Sequence, residues 1–225
     1  MAKKAKDDTF INVDEVYTNT EQFVDNNSTQ IVIGLASLVT IVLAIAAYQF
    51  FYSAPKNYDA EVAMFAAEHY FAKDSIDLAQ RGDGFSAGLE EIIEDHSGTY
   101  AASRASYLVG IANRDAGLFK EAIESFKQVD LNDDVIMPFA LAGIGDCYTD
   151  LGQLEEAEPY FEDAASSADA GLAANVIAPN FHYKRALVLI ELGRSSEAKD
   201  VLHHIITDHP NSRLNKTAEA LHASL

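Results

Sequence analysis

The 225-residue sequence contains no tryptophan, one cysteine and five prolines, and its 16 lysines and arginines face 35 aspartates and glutamates. Each shortage excludes something. With Cys147 alone, the chain can close no internal disulfide and build no thiolate metal centre. Three of the lysines and six of the carboxylates precede Asn26, which leaves 13 basic against 29 acidic residues in 54–225. That excess has the wrong sign for neutralising phosphates, so nucleic acid is a poor partner. An anionic membrane surface would repel it too, and its simplest use is to keep a domain soluble and separate. Catalytic motifs are missing as well. There is no phosphate-cradling glycine loop, no His-Glu-x-x-His, no Gly-x-Ser-x-Gly and no cysteine pair. The expectation is a chain that is not an enzyme and takes no cofactor, metal or small-molecule substrate. The densest histidine group is His203-His204 with Asp208 and His209. Adjacent helical residues point about 100° apart, so these histidines read as surface or interhelix residues.

Charge is also missing locally. Residues 26–55 carry no charged side chain, and 31–52 are almost wholly apolar. About 20 such residues suffice for an α-helix to cross the hydrocarbon of a bilayer, where only a helix satisfies its own backbone. A transmembrane helix is expected over 29–53, after a tail of residues 1–28. A cleaved signal peptide is the competing reading, because Ala44-Ile45-Ala46 offers a small-x-small site. Against it, the run continues through Tyr48, Phe50, Phe51 and Tyr52, which suit an aromatic interfacial belt. Lys3, Lys4 and Lys6 on the first flank, against Lys56 on the other, place the tail in the cytoplasm and the larger domain outside. Gly34, Ser37, Thr40, Ala44 and Ala47 recur at three- and four-residue steps. That face would allow another membrane helix to approach, and a lone anchor of ordinary composition would look the same.

Beyond the apolar run, three segments share one pattern. A small residue (Gly110, Gly145, Ala186) precedes a turn glycine (Gly117, Gly152, Gly193) by seven positions. A second small residue (Ala122, Ala157, Ala198) follows that glycine by five, and a bulky one (Phe126, Phe161, Leu202) by nine. Apolar residues at helical spacing flank each glycine, giving pairs of amphipathic helices joined by tight turns. One pair cannot bury its face alone, so such pairs stack. An earlier pair is expected over 54–99, as helices 57–79 and 85–95. The stretch Glu94-Asp95-His96-Ser97-Gly98-Thr99 echoes Thr207-Asp208-His209-Pro210-Asn211-Ser212. A polar capping helix is expected over 213–224. The connection 166–178 reads as a bulged loop or as extended helix. The fold class is all-α: one transmembrane helix, then a solenoid of three to four helix pairs plus a cap, the later pairs filling 100–225.

Over residues 103–210 this pattern resembles the tetratricopeptide repeat, a helix-turn-helix unit, although its signature tryptophan is absent. The resemblance implies protein partners held on a concave face lined by the first helix of each pair. Its inward positions are Arg104, Tyr107, Ile111 and Arg114; Phe139, Ala142, Asp146 and Thr149; and Tyr183, Leu187 and Glu191. Tyr107, Phe139 and Tyr183 suit packing between neighbouring helices equally well. The whole arrangement is similar to the YfgM-like family of ancillary subunits of the bacterial Sec translocon. That resemblance implies a single-pass inner-membrane protein with an exported, periplasmic repeat domain. Its partners would be the translocon, periplasmic chaperones or exported clients. A structural subunit of the cell envelope without client binding is the alternative.

Overall fold

A computed structural model describes residues 13–130, 135–171 and 173–225, with side chains from residue 23 onward. The chain falls into two units, Met1–Pro55 and Lys56–Leu225.

In the first unit the apolar run is helical throughout. Helix α1 (Val13–Tyr48) is followed by a π-helical segment, Gln49–Ser53, in which the Ala54 N–H reaches the Gln49 carbonyl. Pro55 explains the widened turn: it has no N–H to donate, and its ring crowds the carbonyl one turn earlier. The apolar window is wholly exposed, and it is long and apolar enough to cross a membrane. Ser37 and Thr40 donate their hydroxyls to the carbonyls of Ile33 and Ala36 at 2.8 and 2.9 Å, so neither leaves a polar group unsatisfied in hydrocarbon. Gly34 is open, with nothing near the place of a Cβ. The lysines Lys3, Lys4 and Lys6, on which orientation depends, lie outside the described residues.

The helices that follow are α2 (Ala54–Ala72), α3 (Ile76–Arg81), α4 (Leu89–Asp95), α5 (Tyr100–Asp115) and α6 (Phe119–Lys127). They continue with α7 (Ile136–Asp150), α8 (Leu154–Asp169), α9 (Ala174–Glu191), α10 (Ser195–Asp208) and α11 (Asn215–Ser224). Contacts run mainly between chain neighbours, with α5 also touching α7, as expected of stacked hairpins. The core passes from one group to the next along the stack. Met64, Leu89 and Ile92 lie in the first group, Phe126 and Ile144 in the next, Phe161 and Phe181 in the third, and Leu202 and Ile205 in the last.

Three turns are built alike. Gly117, Gly152 and Gly193 all have positive φ, 76°, 72° and 74°. Each glycine N–H bonds three residues back and the next N–H five back: Leu118 to Asn113, Gln153 to Tyr148 and Arg194 to Leu189, at 2.8–2.9 Å. This is the Schellman closure, which needs a left-handed residue after the helix. In the first two pairs the small residue lies against the ring of the partner helix. A Cβ on Gly110 would meet the Phe126 ring at 2.6 Å, and one on Gly145 the Phe161 ring at 2.9 Å. Ala122, Ala157, Ala186 and Ala198 are fully buried. Gly145→Leu is expected to cost about 1–3 kcal/mol by forcing α7 from α8. A thermal midpoint lowered by several degrees would show it, and an unchanged midpoint would mean that the ring swings aside.

The earlier pair differs from expectation. Helix 57–79 is broken: α2 stops at Ala72 and α3 starts at Ile76, with Asp74 at φ 59°. Asp74 N–H reaches the Phe71 carbonyl and Ser75 N–H the Tyr70 carbonyl, so this is the same closure with aspartate in the glycine's place. The helix expected over 85–95 begins only at Leu89. Asp83 holds the turn that precedes it: its Oδ1 accepts from the N–H groups of Phe85 and Ser86, and its Oδ2 from the Tyr70 hydroxyl. These bonds, the Tyr70 hydroxyl first among them, hold its carboxyl down at about 2. Gly88 then lies so close to the Gln80 carbonyl and the Gly82 amide that no side chain fits. The echo of the two pair ends is real, since His96 and His209 both cap a helix through an N–H to the isoleucine four residues back. The open connection 166–178 resolves as longer helices, with α8 reaching Asp169 and α9 starting at Ala174. Residues 215–224 form the capping helix and bury Ala218.

Candidate functional site

Stacking brings the first helices of successive pairs, α5, α7 and α9, side by side. Their facing residues line a cavity of about 380 Å³: Tyr107, Ile111 and Arg114; Phe139, Ala142 and Asp146; and Asn180, Phe181 and Lys184, with Phe126 and Gly143 beneath. Six of the inward positions assigned from the sequence therefore share one hollow. Phe139 meets Phe181 edge to face at 5.2 Å, and Tyr107 packs on Phe126 at 5.9 Å. Burial pushes the Tyr107 hydroxyl above its ordinary pKa, so the phenol stays neutral.

Charge is concentrated at one place in the hollow. Asp146 receives Lys184 Nζ at 2.6 and 2.7 Å and Arg114 Nη1 at 3.2 Å. One carboxylate thus joins three helices, and Asp115, 3.5 Å from Arg114 Nη2, adds a second negative partner. Lys184 also lies 5.7 Å from the Phe161 ring centre. Arg114, Asp146 and Lys184 are a quarter to two-fifths exposed, so each pair contributes at most about 1 kcal/mol to stability.

The remaining assigned residues lie elsewhere. Arg104 binds Glu61 bidentately at 2.9 Å and Glu68 at 3.1 Å, fastening α5 to α2. Tyr183 packs against the last core group, and Leu187 is partly exposed outside the hollow. The Thr149 hydroxyl donates back to the Gly145 carbonyl. Sequence reasoning missed Lys184 and Phe181, which stand one position after and two before Tyr183. Their signal would have been Asp146, an acid in the otherwise apolar stretch 136–147, which calls for a cation nearby. Cys147 is buried, and burial pushes its thiol up to about 11, so it is packing and not a nucleophile.

Two tetratricopeptide-repeat models match the chain, at residues 140–170 and 182–212. The chain carries tetratricopeptide repeats. No curated protein matches it. The two matched repeats are the α7–α8 and α9–α10 hairpins. The α5–α6 hairpin lies outside both matches and has the turn closure of both repeats and the glycine-on-ring contact of α7–α8. A tetratricopeptide-repeat domain implies protein partners in general.

The histidines are arranged differently from their order in the chain. His203 turns towards His222, at 6.2 Å between rings, while His204 and His209 meet His182 of α9 and Asp169 at the end of α8. Burial pulls His182 below the ordinary histidine value, against the opposing pull of Asp169. Burial pushes Asp169 up, but the hydrogen bonds and charges of the surrounding histidines bring it below its usual range.

Proposed function

We propose that this protein is a membrane-tethered scaffold, without catalytic activity, that binds partner proteins through the hollow on α5, α7 and α9. The observation that carries the reading is the pairing of aromatic walls with two basic side chains, Arg114 and Lys184, in a chain of net charge −19. Rings and arginine make efficient anchors because they bury large areas in fixed geometry. The complementary occupant is a protein segment that offers a bulky apolar side chain beside a carboxylate. Partly exposed Phe139 and Lys184 would be its first contacts. The apolar helix supplies the tether, and the lysine-bearing tail supports a cytoplasmic N-terminus with the repeats exported. In that setting the partners are translocon subunits, periplasmic chaperones or emerging exported proteins.

A second reading, a fixed envelope-assembly subunit, draws on Tyr58, Val62 and Phe65, a mostly exposed stripe at helical spacing on α2. The two readings separate by photocrosslinking in intact membranes, with reactive residues at Phe139, Phe65 and Ser37. Diverse exported proteins or chaperones at Phe139, and translocon subunits at Ser37, support the scaffold. A single recurring envelope protein at Phe65 supports assembly. For the scaffold, the double variant Phe139→Asp with Lys184→Glu, probed from Ile111, is expected to lower capture about tenfold or more at unchanged helicity. Undiminished capture removes the hollow from the binding surface.

A further inference from the structure

Away from the hollow, the ends of α8 and α10 and the middle of α9 bring one carboxylate and three imidazoles together. Asp169, His182, His204 and His209 each present a ligating atom within 4.8 Å of the other three. All three Nε2 atoms face the carboxylate: His182 at 2.7 Å and His204 at 3.4 Å from Oδ2, and His209 at 3.0 Å from Oδ1. The rings stand 4.5–6.1 Å apart. The cluster is not fully hydrogen-bonded internally: His182 Nδ1 is buried without a partner, and His209 Nε2 and Asp169 Oδ1 lie 3.0 Å apart without hydrogen-bond geometry. His209 is only 5 % exposed, and its Nε2 is aimed at the Asp169 carboxylate. Buried polar atoms normally complete their hydrogen bonds, and three imidazoles that converge on one carboxylate without completing theirs form a ready donor set for a cation.

We propose that Asp169, His182, His204 and His209 bind one divalent first-row cation, and that the donor set fits Zn²⁺. Three imidazole nitrogens and one carboxylate oxygen suit this borderline ion, and four protein ligands close a tetrahedral shell, as in structural sites. Bonds of 2.0–2.1 Å place tetrahedral ligand atoms about 3.4 Å apart, so the cluster closes by small side-chain rotations. Outer partners orient two rings: Asp208 Oδ2 holds His204 Nδ1 at 2.8 Å, and Asn175 Oδ1 lies 3.4 Å from His209 Nδ1. A cavity beside Asp169, His182 and His204 gives access from solvent, and Arg185 on its wall is neutralised by Glu158 and Glu162. The ion would clamp the α9–α10 hairpin to α8 of the preceding repeat, independently of any occupant of the hollow.

The test uses the purified full chain in detergent, stripped with a chelator, loaded with Zn²⁺ and dialysed. The expected result is one retained Zn²⁺ per chain. The melting midpoint should rise by about 5–10 °C at about a hundredfold excess over Kd. Co²⁺ in place of Zn²⁺ should give the intense visible absorption of a four-coordinate site, a readout on the unaltered chain. His204→Gln and His209→Gln should lose the ion, and His203→Gln, whose ring faces His222, should keep it. A folded wild-type chain that retains no zinc, or a His204→Gln chain that retains as much as wild type, overturns the proposal and leaves histidine–carboxylate ion pairs.

Discussion

Phe161→Ala is expected to destabilise the repeat domain by about 3–5 kcal/mol, measured as a lowered urea midpoint by circular dichroism. The ring is 2 % exposed and lies against Gly145 on one side. Most of the rest of its core group is alanine: Ala142, Ala157, Ala164, Ala165, Ala168 and Ala178. Short side chains on packed helices have no atoms to swing into the vacated space, so the cavity stays open and the cost stays high. The turn at Gly152 prevents α7 and α8 from sliding together to close it. Domain stabilities fall near 5–15 kcal/mol, so this one ring accounts for a large share of the margin. The adjoining repeats should loosen with it, because each hairpin is held by its neighbours. A loss below about 1 kcal/mol would show that the alanine layer collapses freely, against the rigid stacking described here.

The contrast between Gly117 and Asp74 shows how much of the fold the sequence makes legible. Where a left-handed residue is glycine, the hairpin stands out at Gly117, Gly152 and Gly193. Where the same closure uses Asp74, apolar spacing runs through the turn and α2 with α3 reads as one helix. Residues 85–88 read as helix because apolar spacing does not show that Gly88 is extended and lies against the Gln80 carbonyl and the Gly82 amide. In the hollow, Tyr107, Ile111, Arg114, Phe139, Ala142 and Asp146 follow from repeat register alone. The Asp169–His182–His204–His209 cluster does not follow from register. Its members are spread over 40 positions and meet only because the ends of α8 and α10 reach the middle of α9. One trace was present, since His182 lies eleven residues before its turn glycine, where Ser106 and Leu141 stand in the other units. An imidazole at a buried register position calls for a partner.

Arg185→Leu is the second large effect, expected to cost about 3–5 kcal/mol even though it introduces an apolar residue into a mostly buried place. Arg185 Nε lies 2.6 Å from Glu158 Oε1, across the junction of α8 and α9, with side-chain exposures of 19 % and 10 %. Glu162 adds a contact at 3.0 Å, but it is half exposed and loses little when the arginine goes. Glu158 is the group that suffers, because its remaining cation is Arg194 at 3.7 Å, which is itself engaged by Glu197. A carboxylate that deep in the protein without its close partner carries a desolvation cost that Arg194 offsets only in part. Glu158→Leu with Arg185→Leu should therefore recover most of the loss, since both charges leave together. Measured as a double-mutant cycle in urea, the expected result is a double variant more stable than Arg185→Leu alone. A double variant as unstable as the single would show that Arg185 acts through the packing of its methylenes, and the hairpin junction would then be apolar in its energetics despite its charges.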